Sequence, residues 1–194
     1  MATLTKLKEL ILSRNQIQAI PDKVLGAMVK LEILKLDRNV LKALPPSIET
    51  LSKLKQIDLS GNQLGWFPVK LPASLTVILC RDCGIASLPE DGWASFPQLL
   101  ELDVSGNKIE SLPDGLSECK KLKILRAANN RLSVVPASVL QGTVVSAVSF
   151  KGNQFDEKQF EQMEGFGEYM KRRKARLDKS LSADVNLDGF NEIM

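Results

Sequence analysis

The chain has 194 residues, 44% of them hydrophobic, with three cysteines, no histidine and a formal net charge of +3. No apolar run approaches the ~18 residues that mark a membrane span, and the absence of histidine removes the commonest general acid/base and metal ligand. The charge is uneven: residues 171–181 carry six positive charges and one negative, so the remainder is slightly acidic.

The N-terminal stretch MATLTKLKELIL lacks a basic-then-apolar-then-small pattern, so no signal peptide is expected. No N-x-S/T sequon occurs. Three cysteines without a signal sequence fit a reducing compartment. The expected location is the cytoplasm, with the nucleus left open by the basic segment.

In chain order the same row returns seven times: LKELILSRNQI from Leu7, LEILKLDRNVL from Leu31, LKQIDLSGNQL from Leu54, LTVILCRDCGI from Leu75, LLELDVSGNKI from Leu99, LKILRAANNRL from Leu122 and VSAVSFKGNQF from Val145. The starts lie 24, 23, 21, 24, 23 and 23 residues apart, and six rows continue into x-x-(I/L/V/F)-P. This L-x-x-L-x-L-x-x-N-x-L pattern predicts an α/β leucine-rich repeat solenoid over residues 1–155.

Within a row the first, fourth, sixth and eleventh residues are apolar. Residues alternate sides along a strand, so each row begins as a short strand with its third and fifth residues outward. The stacked strands pair in parallel and form the concave face. The ninth residue, Asn in six rows and Cys83 in the fourth, falls at the turn into the return arm. An amide there has donors and an acceptor for buried backbone groups of adjacent coils, and Cys83 predicts one weaker rung. Convex arms follow, irregular or short-helical, with anchors expected at Val24, Met28, Ile48, Leu51, Leu116 and Val139. The arm of row three, PVKLPAS, holds two prolines and is expected to be extended. The chain opens in mid-repeat, so the first strand lacks a capping element, and self-association through that edge is one expectation.

Residues 156–181 predict a C-terminal capping helix with a basic extension. Asp156 and Gln159 read as a capping box. Phe160, Met163, Phe166, Met170, Leu177 and Leu181 fall on one stripe, docking through Met170, with Gly165 and Gly167 weakening the middle. Residues 182–194 are expected to be a disordered tail.

Three local motifs carry blander readings. Cys80-Arg81-Asp82-Cys83 is a C-x-x-C, yet Cys80 occupies an inward position, Cys83 the asparagine position, and Cys119 aligns with inward Leu51. Zinc would need two more ligands, so no metal or cofactor is assigned. Asp184-x-Asn186-x-Asp188-Gly189 resembles the start of a calcium loop, but the bidentate acid of its twelfth position is missing. The run Lys171–Arg176 reads as a solvated helix face, a nuclear-import or nucleic-acid patch, or a surface for acidic lipid or protein. Trp66, outward beside the concave face, and Trp93, half-buried on the convex arm, are further candidate anchors. No catalytic constellation appears, and no enzymatic activity is expected.

The 23-residue row with its L-x-x-L-P ending resembles the intracellular Ras-group-related leucine-rich repeat proteins over residues 4 to 155. The segment Phe160–Leu181 resembles the C-terminal cap of small cytoplasmic members of that class. The resemblance implies a protein-interaction module or scaffold in signalling. The expected function is therefore binding of a protein partner through the concave face. The alternative is an adaptor binding nucleic acid or acidic membrane through the basic helix, which the composition does not favour. On the concave face Val77 and Leu79 form an apolar centre in row four. Asp58, Glu101 and Asp103 flank it, with Ile33, Lys35, Ile124 and Arg126 further out and Arg81 and Asp82 at the strand's end. An apolar centre ringed by charge is the anatomy of an interface.

Overall fold

The computed structural model describes residues 4–182. Seven three-residue strands, β1 (Glu9–Ile11), β2 (Ile33–Lys35), β3 (Gln56–Asp58), β4 (Val77–Leu79), β5 (Glu101–Asp103), β6 (Ile124–Arg126) and β7 (Ala147–Ser149), form one sheet in chain order. All six pairings are parallel. The register places each row's fourth residue beside the next: Leu34 beside Ile57, Ile57 beside Ile78, Ile78 beside Leu102. These side chains point inward and are fully buried. The leucine spacing thus sets both the strand position and its pairing, because a slip of one residue would turn every leucine to solvent.

The return arms are short. Helix α1 spans Asp22–Gly26 and α2 spans Ala137–Gly142; between them the arms carry 3-10 turns at Pro46–Thr50, Trp93–Ser95 and Asp114–Glu118. Proline precedes or opens four of these five elements, with φ fixed and no N–H to satisfy. Between β3 and β4 there is no helix, as the prolines of row three predict. Two anchors differ from expectation. Leu25, not Val24, is the buried residue of α1, because the helical turn rotates the following position inward. Trp93 is not half-buried but 1% exposed, in tilted contact with Phe67 and Phe96, with its Nε1 donating to the Pro89 carbonyl at 2.8 Å. That bond lets an indole N–H enter the core at no unpaired-donor cost.

The ninth-position asparagines form a ladder. Asn39, Asn62, Asn107, Asn130 and Asn153 each donate to the sixth carbonyl of their own row and to that of the preceding row. Each also accepts from the eleventh N–H of the preceding row. Among the described residues no row precedes that of Asn15, which stays exposed and bonds to the Leu12 and Ser13 carbonyls. In row four the Cys83 thiol keeps the donation to Leu59 of the preceding coil at 3.2 Å. It makes no bond to the Leu64 N–H, the equivalent of Leu41 and Ile85, so half the amide's role is lost.

Cys80, Cys83 and Cys119 are free and buried. A hydrogen bond with Cys83, together with burial, pushes the Cys80 thiol well above its ordinary range. Burial pushes Cys119 up to about 12. The same hydrogen bond from Cys80 lowers Cys83, but all three are fully buried, and reactivity needs access as well as the thiolate, so they are core thiols.

The capping box forms as read: Asp156 accepts from the Gln159 N–H at 2.8 Å, and the Gln159 side chain accepts from the Asp156 N–H at 2.9 Å. It opens α3 (Glu157–Glu161), which presses Phe160 into a cluster with Phe150, Phe155, Phe166 and Tyr169. The helix does not continue. Gly165, at φ +88°, breaks it, and α4 (Phe166–Ser182) restarts with a new phase. A Cβ at Gly165 would lie 2.8 Å from the Leu140 Cβ, so glycine also permits the close crossing over α2.

The new phase corrects two expectations. Tyr169, not Met170, is the docked residue; Met170 is exposed. The basic run is not a purely solvated face either. Arg172 Nε donates to the Val145 carbonyl at 2.9 Å and its Nη2 to the Leu140 carbonyl, while Arg173 and Arg176 are half-buried. Residues from 171 onward therefore contribute to the cap. No described helix is long and apolar enough to cross a membrane. The tail from 183, including the calcium-loop-like motif, lies outside the described residues, as does the Leu181 side chain.

Candidate functional site

The outward third and fifth residues of each strand form two columns across the concave sheet. In the third column Ile33 abuts Gln56, then Val77, Glu101 and Ile124. In the fifth, Lys35 abuts Asp58, then Leu79, Asp103 and Arg126. Register alone thus brings the candidate residues of rows two to six together on one rigid surface.

Side chains refine that picture. Asp103 does not flank the centre as a solvent-facing carboxylate; it is 1% exposed. The Arg81 guanidinium, two positions beyond β4, folds over it with Nε 2.6 Å from Oδ2, and the Ser105 N–H donates to Oδ1 at 3.0 Å. Glu101 is likewise engaged by Arg126 Nη1. Asp58 remains half-buried, accepting from the Ser60 N–H at 3.0 Å. Val77 and Leu79 are half-buried between the neighbouring columns rather than fully exposed, as are Ile33, Lys35 and Ile124. The centre is an apolar pair bordered by two preformed ion pairs. An arginine already held by a carboxylate loses less rotamer freedom when it meets a partner. On the strands' leading side, Lys55 at 2.8 Å and Lys8 at 3.5 Å hold the Glu32 carboxyl below its ordinary range.

Asp82 sits apart from this centre. It is the eighth residue of its row, a left-handed position in every row: Arg14, Arg38, Asp82 and Asn129 share it with Gly61, Gly106 and Gly152. The Asp82 side chain projects over the next row, where a Cβ on Gly106 would lie 2.0 Å from its Oδ1. Glycine is therefore required twice at Gly106, for φ +70° and for the neighbour above. Gly106→Ala should cost about 1–2 kcal/mol for the left-handed backbone alone and displace Asp82 besides. Chemical denaturation of the two proteins checks this.

Two other surface features stand out. Trp66 is 60% exposed and borders a groove formed with Pro45, Pro46, Pro68 and Val69 between the arms of rows two and three. A second groove lies between α4 and the leading ends of β6 and β7. Sequence reasoning missed it, because its walls come from separate rows and from a helix whose phase was misread. A usable signal was the basic second residue of row six, Lys123, beside the apolar Val144 that immediately precedes row seven. Among the described residues no group of three or more cysteine or carboxylate side chains converges to hold a metal.

The family description "Leucine rich repeat" matches residues 5–64, and "Leucine Rich Repeat" matches residues 53–76 and 98–119. The chain is similar to keratocan of Danio rerio, with 32% identity over 136 residues, covering 68% of this chain and 39% of that protein. It spans less than half the length of the curated relatives it matches. Among solved structures it resembles a leucine-rich repeat protein of Leptospira interrogans, at 26% identity and a TM-score of 0.71, covering 75% of this chain and 37% of that one. It also resembles the repeat ectodomain of a plant membrane receptor kinase from Arabidopsis thaliana in complex with Casparian strip integrity factor 2. There the identity is 27% and the TM-score 0.63, covering 76% of this chain and 18% of that one. These similarities carry the repeat and its fold; they do not reach the finer Ras-group-related class.

Proposed function

We propose that this leucine-rich repeat solenoid is an interaction module that binds a protein partner through the middle of its concave sheet. The observation that carries this reading is the half-buried pair Val77 and Leu79, bordered by the Arg81–Asp103 and Arg126–Glu101 ion pairs. Such a centre supplies apolar anchors with oriented charge around them. The Arabidopsis ectodomain in complex with its factor supports a protein as the class of partner. The role is binding, not catalysis. We place the protein inside the cell as a signalling scaffold of the Ras-group-related kind, and its three buried, reduced thiols support that reading.

Leu79→Arg tests the assignment. Leu79 points out of the sheet, so the variant should fold with a near-normal melting temperature. It should lose whatever partner the wild-type chain retains in an affinity pulldown. A folded variant that keeps every partner at native affinity places the site elsewhere. Self-association at β1 then becomes the better reading. It is favoured by one observation: the inward residues Leu7, Leu10, Leu12, Ile17 and Ile20 of row one are only partly buried. Sedimentation at rising protein concentration separates the two.

A further inference from the structure

The groove beside α4 combines two kinds of wall. Its rim is cationic, made by Lys123 at the start of row six and by Arg172, Arg176 and Lys179 of α4. Its floor is apolar: Ile124 opens β6, Val144 is 43% exposed just before row seven, and Ala175 faces them from the helix. Among the described residues no carboxylate lines it; the α4 acids Glu168 and Asp178 are not among its walls. The volume is about 450 Å³, room for several side chains. It is built on fixed elements, since Arg172 ties α4 to the Val145 and Leu140 carbonyls.

We infer that this groove binds an acidic peptide segment carrying an apolar anchor residue. The rim alone would attract any polyanion. The floor discriminates, because a polysaccharide or a phosphate backbone brings no aliphatic side chain to cover Ile124 and Val144. Among the described residues no aromatic side chain lines the groove to stack on a base, as single-strand binders require. A flat membrane surface cannot reach the floor of a cleft. A peptide alternating Asp or Glu with Leu satisfies both walls: carboxylates meet the rim, and the leucine displaces water from the floor. The groove lies at the C-terminal margin of the concave face; it shares Ile124 with the outer part of the concave site but none of the Val77–Leu79 centre.

The probe is a fluorescein-labelled peptide, EDLEELDE, followed by anisotropy against the full chain. Controls of equal charge are polyglutamate and a single-stranded oligonucleotide. The Lys123→Glu/Lys179→Glu double variant avoids Arg172, which holds the cap together, and its melting temperature reports folding. If it melts early, the Lys123→Gln/Lys179→Gln pair replaces it. The peptide should bind more tightly than polyglutamate, and the double variant should weaken it by about tenfold or more at low salt. Val144→Ser should weaken the leucine-bearing peptide and leave polyglutamate unchanged, and Leu79→Arg should leave both unchanged. Equal binding of all three polyanions would reduce the groove to a general electrostatic patch and overturn the proposal. Absence of peptide binding overturns it as well, and loss in Leu79→Arg would move the site to the concave centre.

Discussion

Phe160→Ala is expected to lower stability by about 3–5 kcal/mol, the range for emptying a large buried aromatic site. Phe160 is the hub of the C-terminal cluster, with ring centroids 5.4 Å from Phe150, 5.2 Å from Phe166 and 5.9 Å from Tyr169. Its removal uncouples α3 from the last coil and leaves α4 without the surface on which Tyr169 is buried. For a chain of this size the loss corresponds to roughly 6–20 °C in melting temperature. Met170→Ala, one position beyond Tyr169 and exposed, should be close to neutral. Thermal melts of both variants decide the matter: equal effects would mean the cap is not seated through Phe160.

Asn107→Ala should be comparably severe for a different reason. The amide donates to Cys80 and Val104 carbonyls at 2.8 and 2.7 Å and accepts from the N–H groups of Cys83 and Ile85 at 3.0 Å each. Truncation strands three buried backbone groups, the Cys80 carbonyl and the Cys83 and Ile85 N–H groups, at about 1–3 kcal/mol each before relaxation; the Val104 carbonyl keeps its bond from Asn130. Partial repair by water reduces the total to roughly 3–5 kcal/mol. This rung lies beside Cys83, where the ladder is already incomplete, so no amide of the preceding row can take over on that side. Asn15→Ala removes only local bonds at an exposed position and should cost about 0.5 kcal/mol. Denaturant titration of the pair measures the contrast.

Much of the molecule was legible because a repeat averages out local ambiguity. Seven rows with apolar residues at the same four places leave one register, and all seven strands occupy the third to fifth row positions. The capping box was legible for a similar reason: its chemistry is confined to four consecutive residues. What was not legible depends on contacts between rows or on helical phase. Alternation along β5 shows that Asp103 points out of the sheet, but not that Arg81, one row away, folds over it. The turn at Gly165 shifts α4 by a phase that periodicity across residues 160–181 smears out, which hid both the docking of Tyr169 and the clamp of Arg172. Trp93 was misjudged because its burial depends on the Pro89 carbonyl, four residues earlier and on the far side of a bend. The candidate site lies between these cases: strand register assembled it, and inter-row ion pairs set its character.

The eighth-position turns have a consequence for how such a chain can be rearranged. From row two onward the bulky and glycine turns alternate, Arg38 then Gly61, Asp82 then Gly106, Asn129 then Gly152. In each couple the missing Cβ of the glycine leaves room for the residue before it. The interchangeable module is therefore a pair of rows. Duplicating, deleting or transplanting two consecutive rows preserves every couple, whereas moving one row parts a glycine from the bulky turn it makes room for. Shuffled or lengthened versions of this solenoid should be cut at every second row, with the glycine-bearing row kept downstream of its companion.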